Sequence, residues 1–277
     1  MSTLAVAGDL LQQALRRKWF LALGLIMTAG LTLLGLALRM DVVDGAFAGM
    51  RLFGSVVRRD IQAADVAVRP VFKVLANVIF YGSTVFLVLG CSDFAPRLLA
   101  PGRIEYLLSL PIRRFELIAG TYLGVLGLGA LVAIYGAGGL VVILGFKAGV
   151  WTLMPILAAL LGLLAFATIY AAMLATAIVV RSSALSTAVG GVLFIAGLVA
   201  GKRDSLLPIW ERGPGRTLFA AVTLFVPRVS ALGNACAGLA SAERLAPAAL
   251  ISLVAGFLLF AAAGLALAIW LFERRDF

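Results

Sequence analysis

Six runs of roughly 20 apolar residues, at 19–38, 74–90, 117–146, 150–180, 184–200 and 245–272, limit what this chain can fold into. None of them contains Asp, Glu, Lys or Arg, so all 23 basic and 13 acidic residues fall in the connecting segments and at the ends. In a bilayer every backbone N–H and C=O needs a partner within the protein, and a run of this length finds one for each as a helix. The expected fold is an all-α integral membrane protein with six transmembrane helices. It also has an N-terminal interfacial helix and a short re-entrant or interfacial helix before the last span, all in one transmembrane domain over 1–277. Composition agrees: 63% of residues are hydrophobic, against roughly half in soluble domains.

The same charge exclusion bears on function. Carriers coupled to protons or ions usually keep acidic, basic or His side chains at membrane depth, and here the spans carry no charge and the chain has no His. An energy source outside the membrane domain is the simpler reading. A Na⁺ site built from carbonyls and hydroxyls would escape this test, so a secondary carrier or channel without an ATPase partner stands as the alternative. Without His there is no Ser–His pair and no His-ligated metal. The four lysines, Lys18, Lys73, Lys147 and Lys202, adjoin no serine motif, so neither enzymatic activity nor a cofactor or metal is expected in this chain. Cys91 and Cys236 sit in different segments without metal-ligand spacing and read as structural thiols. The net charge of +10 belongs to lipid headgroups and topology rather than to nucleic acid.

Between the spans, "TLAVAGDLLQQALRRKW" sets Asp9, Gln12, Gln13, Arg16 and Arg17 on one helical face and Leu4, Leu11, Ala14 and Leu15 on the other, the pattern of an interfacial helix. With this helix ahead of the first span and no small-x-small site close behind it, no cleaved signal peptide is expected. Segment 39–73 mixes apolar and charged residues and reads as an amphipathic surface helix. "GRTLFAAVTLFVP", Gly215 to Pro227, is apolar but too short to span. Lys and Arg divide almost evenly between the two sets of connecting segments, so charge count does not orient the protein. "GLVAGKRDS", Gly197 to Ser205, is one residue short of a phosphate loop and has Arg203 where a Mg²⁺-binding Ser or Thr belongs.

The most informative connecting segment is "GRIEYLLSLPIRRFELIAGTYLG", Gly102 to Gly124. Ile104, Leu107 and Leu108 share a helical face while Arg103 and Glu105 point elsewhere. Pro111 disfavours helix at Leu110 and suits the first position of the next helix, which runs through Arg113, Arg114 and Glu116 into the third span. A helix, a corner and a membrane helix with a charged collar result. Such a fixed, charged surface suits docking to a soluble partner, and its link to the span could transmit that partner's movement.

This run, continued by Arg114, Gly120 and Gly124, resembles the G-x-x-E-x-L-L-S-x-P-x-x-R-x-x-x-x-x-G-K-x-x-G segment of ABC-2 type transporter permeases. It is particularly similar to the group that includes the transporter maturing the copper site of nitrous oxide reductase. The six-span layout, the short apolar helix before the last span and the tail "FERRDF" are similar too. The chain departs from the pattern at Thr121, where Lys is common, and at "LLAP" before Gly102, where acidic residues are frequent. The resemblance implies a permease subunit that couples hydrolysis by a separate ATPase to export or to force transmission. It also implies two ABC ATPase subunits carrying the ATP and Mg²⁺, a second permease copy (a homodimer in preference to a heterodimer), and service to a solute or a periplasmic partner. It places the chain in the bacterial cytoplasmic membrane with both termini and 91–116 in the cytoplasm. Gly102, Arg103, Glu105, Leu108, Pro111, Arg113, Arg114 and Glu116 become the ATPase-coupling residues; no substrate residues are assigned.

Because it has no phosphate loop, the purified chain, freed of any ATPase, is expected to show no Mg²⁺-dependent nucleotide binding by calorimetry. Micromolar affinity would contradict this.

Overall fold

The computed structural model describes residues 3–275 except 17, 44–45, 53–54, 59–61, 101, 103, 106–108, 110–112, 210–212 and 244, with the backbone alone over 39–65 and at 67. Six helices are long and apolar enough to cross a membrane: α2 (Lys18–Ala37), α3 (Ala64–Cys91), α5 (Arg114–Ala148), α6 (Met154–Val180), α7 (Ser183–Gly201) and α10 (Pro247–Glu273). They are preceded by α1 (Thr3–Leu15), with the short α4 (Phe94–Leu98) after α3 and the pair α8 (Pro214–Phe225) and α9 (Val229–Ala240) before α10. The expected spans are all present.

Helix starts and stops follow local chemistry. Pro stands in the first two positions of α6, α8 and α10, where its missing N–H costs nothing. Ser182 caps α7 by accepting from Leu185 N. α5 stops at Gly149, which takes the left-handed conformation (φ 70°) and donates its N–H to Gly145 O.

One expectation is overturned. Segment 39–73 is not a surface helix: Leu38–Val43 (β1), Ala46–Leu52 (β2), Ser55–Arg58 (β3) and Gln62–Ala63 (β4) form a small antiparallel sheet, and helix begins only at Ala64. Strand β2 is central, with β1 on one edge and both β3 and β4 on the other. The pairing of Val43 with Ala46 brackets Asp44-Gly45, the strongest short hairpin signal, and Val42, Val43, Val56 and Val57 favour extended backbone. The mixed composition concealed a period of two.

The bundle is arranged around α6, two-thirds buried along its most apolar stretch, whereas α2 is only 6% buried on the same measure. Between lipid-like side chains there is no hydrophobic gain from pairing helices, so close fit and interhelical hydrogen bonds decide. Tyr122 donates to Ala167 O, Thr168 to Phe257 O and Ser186 to Met173 O, linking α6 to α5, α10 and α7. Cys91 and Cys236 are buried in different clusters.

Helix α1 forms where expected, but the face that docks on the first turns of α5 is Val6, Ala7, Leu10, Leu11 and Ala14, while Leu4 and Leu15, placed on the apolar face from sequence, are exposed. A Cβ at Gly120 would lie 2.8 Å from Val6 Cβ and 2.9 Å from Thr3 O, and one at Gly124 would lie 3.0 Å from Ala7 O. The two glycines form a seat at GxxxG spacing for a backbone-to-backbone approach. Thr3 is thus near the start of α5, and so is the C-terminal tail, because Arg114 bonds to the carbonyls of Glu273 and Arg275. Both ends of the described chain therefore meet at one end of the bundle, the terminal face.

The last departure concerns α8 and α9. The short apolar helix expected at 215–227 is α8, but it is half of a pair bent by 55°. Its second half, α9, packs into the core, with Val229 and Leu232 fully buried.

Gly124→Leu is expected to dislodge α1 and cost about 1–3 kcal/mol through overpacking, seen as earlier thermal unfolding and faster proteolysis of residues 3–15. Gly138→Leu, where an added Cβ meets nothing within 4 Å, should leave both unchanged; equal losses in the two variants would refute the seat.

Candidate functional site

At the terminal face the chain leaves α4, turns at Gly102 and enters α5. Gly102 has φ +80° with open space around it, so backbone conformation rather than crowding asks for glycine. The N–H of Ile104 returns to Ala100 O at 3.2 Å, Ile104 is buried in the main apolar cluster and Glu105 is exposed. This is the inward and outward split expected of the amphipathic turn. Arg103, Leu108 and Pro111 lie outside the described residues.

The start of α5 is fastened twice. Arg113 is the N-cap, in extended backbone, and donates its N–H to Glu116 Oε2 at 3.2 Å. That bond meets part of the demand of a helix start, and the carboxylate also sits at the positive end of the helix dipole. Glu116 is therefore a capping residue. Arg114, half-buried, donates through Nη1 to Arg275 O at 2.8 Å and Glu273 O at 3.2 Å.

The tail is pinned in turn. The guanidinium of Arg275 donates to Ile178 O and, at 2.7 Å, to Val179 O, the last carbonyls of α6. A cation there satisfies acceptors that the helix leaves open and lies at the negative end of its dipole. The α6 terminus closes on Arg181, a non-glycine residue at φ 55°. Arg274 rests over the Trp270 ring at 4.2 Å. The tail is thus a clasp: Arg114 holds its backbone to α5, and its own Arg275 holds α6.

Of the residues singled out from sequence, Arg113, Arg114 and Glu116 meet at the start of α5, and Gly102 and Glu105 lie in the segment that precedes it, with Glu105 and Arg113 exposed. Arg114 and Glu116 have internal partners. The rim around them is basic, with Arg16, Lys18 and Arg181 exposed and Arg97 ion-paired to Asp93 at 2.9 Å. Arg275 was not among the residues read from sequence; its one signal was a basic pair just after the last span. No cluster of His, Cys, Asp or Glu able to hold a metal occurs among the described residues.

At the opposite face Lys73 pairs with Glu243 at 2.7 Å, tying α3 to the α9–α10 connection, and the hydrogen bond from Lys73 holds the Glu243 carboxyl below its usual range. Lys147 donates to Leu38 O at 2.7 Å, fixing the end of α5 to the start of the sheet.

Arg275→Ala should free the tail and unfasten both helix ends. Hydrogen bonds from a charged group contribute on the order of 1.5–3 kcal/mol, so backbone exchange should quicken by about tenfold or more at 113–118 and 176–181 and stay unchanged in mid-α6. Unaltered exchange at the start of α5 would refute the clasp. Comparison of the chain with protein-family models and with curated proteins returns no match.

Proposed function

We propose that this chain is the membrane subunit of an ATP-driven ABC-2 type transporter, working with a second copy of itself and two separate ATPase subunits that carry the ATP and Mg²⁺. On this reading it lies in the bacterial cytoplasmic membrane with the terminal face in the cytoplasm. It exports a solute or transmits force to a periplasmic partner.

The observation that supports the reading most directly is the length of α5 and the exposed charge at its start. Exposed Arg113 caps a helix of 35 residues, about 52 Å long at 1.5 Å per residue, and exposed Glu105 precedes it in the chain. The hydrocarbon core is only about 30 Å thick, so α5 has length to spare for a projecting end. It contacts α1, α2, α3, α6 and α10. A push on the corner would be delivered through one rigid element to most of the bundle, and the clasp would carry it to α6 and α10 as well. The drive has no evident origin within the spans, which contain no ionisable Asp, Glu, Lys or Arg. This weighs against a secondary carrier.

The test is purification of the tagged chain from its native membrane, followed by reconstitution with the associated ATPase in liposomes. Glu105→Arg should weaken ATPase association by about tenfold, since exposed charges at a docking surface set register and partner choice. Pro111→Ala should leave association intact and lower transport per ATP hydrolysed, because it alters the corner and not the contact. Transport by the chain alone, driven by an ion gradient without ATP, would overturn the proposal in favour of a carrier.

A further inference from the structure

The bent pair α8–α9 creates a feature that the coupling reading does not use. Its turn packs against α7: a Cβ at Gly197 would lie 2.8 Å from Pro227 O, and one at Gly201 would lie 2.7 Å from Ala231 N. Gly197 is one turn inside the end of α7, so Arg228, next to Pro227, is carried below the level of Lys202, the residue that ends that helix. The six spans exclude charge, yet the fold inserts a cation beside them. Arg228 is half-buried, and its side chain makes no ion pair or hydrogen bond among the described residues. A cation at this depth with no partner among the described residues is a candidate binding group.

What Arg228 adjoins narrows the ligand. Helices α9 and α10 stand apart at this end of the bundle and leave a groove of about 650 Å³, within the roughly 300–1,000 Å³ of small-molecule sites. Arg228 and Asn234 lie on one wall and Leu250, Leu253, Phe257 and Phe260 on the other. Asn234 is exposed, with no side-chain partner among the described residues. Among the described residues no Asp or Glu lines the groove. The polar groups come from the turn and from α9, and the apolar wall follows α10 inward as far as Phe260, nine residues after the exposed Ile251.

We propose that this groove binds one acidic phospholipid of the leaflet at the opposite face, its phosphate against Arg228 and Asn234 and one acyl chain along Leu253, Phe257 and Phe260. A small aqueous anion would satisfy Arg228 and leave the apolar wall wet. A zwitterionic lipid would bring a positive group into a groove whose described lining offers no carboxylate to receive it, so net negative charge on the headgroup is the distinguishing requirement. Arginine suits the task because its stem packs along apolar surface while the guanidinium reaches the interface and can hold phosphate through two N–H groups. The site stands independently of any ATPase partner.

The proposal is tested on the whole chain, stripped of lipid in neutral detergent, by native mass spectrometry with added dioleoyl phosphatidylglycerol or dioleoyl phosphatidylcholine. One phosphatidylglycerol should be retained about fivefold more tightly than phosphatidylcholine, the preference expected of one basic residue near a lipid phosphate. Arg228→Gln should erase the preference and Arg228→Lys should keep part of it, while Arg216→Gln, a basic residue outside the groove, should change nothing. Gly256→Phe supplies a second variant, checked for unchanged thermal unfolding, that blocks the groove without removing charge. An added Cβ at Gly256 meets nothing within 4 Å and the residue lines the groove, so the ring should fill the space and lower retention of both lipids. Equal retention of the two lipids, or a preference that survives Arg228→Gln, would overturn the proposal. Displacement of the lipid by inorganic phosphate, with no effect of Gly256→Phe, would show an anion site without an acyl chain and overturn it too.

Discussion

The close approach of helices at small residues is the interaction on which everything else depends. Lipid tails are as apolar as Leu, so a helix gains nothing by leaving lipid for another helix unless the fit is better. α6 satisfies that condition on several sides, through Tyr122, Thr168 and Ser186 and through Gly264 of α10, whose added Cβ would lie 3.0 Å from Ala171 Cβ. α2 sets Trp19, Met27 and Leu31 against Gly90, Gly136 and Gly139 on one side only, its own Gly24 and Gly30 meeting nothing within 4 Å, and it stays at the periphery with a long apolar face open. Position within the bundle thus follows the number of sides on which a helix finds a close fit more than it follows hydrophobicity, which is high in every span.

The terminal face shows how a few polar groups turn this packing into a mechanical arrangement. Glycine at 120 and 124 brings α1 onto α5, the cap at Arg113 and Glu116 fixes where α5 begins, and the Arg114–tail–Arg275 clasp joins that beginning to the end of α6. The cap and the clasp use backbone groups that helix ends leave unsatisfied, whereas the glycine seat works by close packing. Movement of the corner relative to α6 would require the clasp to break or the tail to travel with it.

The opposite face is built on a different principle. There the pair α8–α9 folds back against α7, and the Lys73–Glu243 pair holds the far end of the excursion. Non-spanning segments are tolerated at membrane depth only where protein or water surrounds their backbone, and Gly197 and Gly201 supply the close protein contact. Arg228 and the groove beside it are consequences of that fold-back and of the gap between α9 and α10.

How much of this could be read in advance depended on the range of the interaction. The six spans, the amphipathic character of α1 and the inward Ile104 with outward Glu105 were legible, because length, charge exclusion and helical period are local properties. The sheet at 38–63 was locally encoded as well, in Asp44-Gly45 and the paired valines, but a mixed composition masked its period of two. Helix α9 escaped notice because "VSALGNACAGLA" consists mostly of small residues and is too short to span. Only tertiary contact could assign Gly120 and Gly124 to α1, join Arg114 to a tail 160 residues away, place Arg275 on α6 and carry Arg228 below the end of α7. By itself the sequence determined which segments prefer lipid and where charge is allowed, since each residue meets the bilayer individually. Which helices touch, and which polar groups they bring together, was decided by the tertiary structure, because complementary fit belongs to pairs of surfaces that no single segment contains.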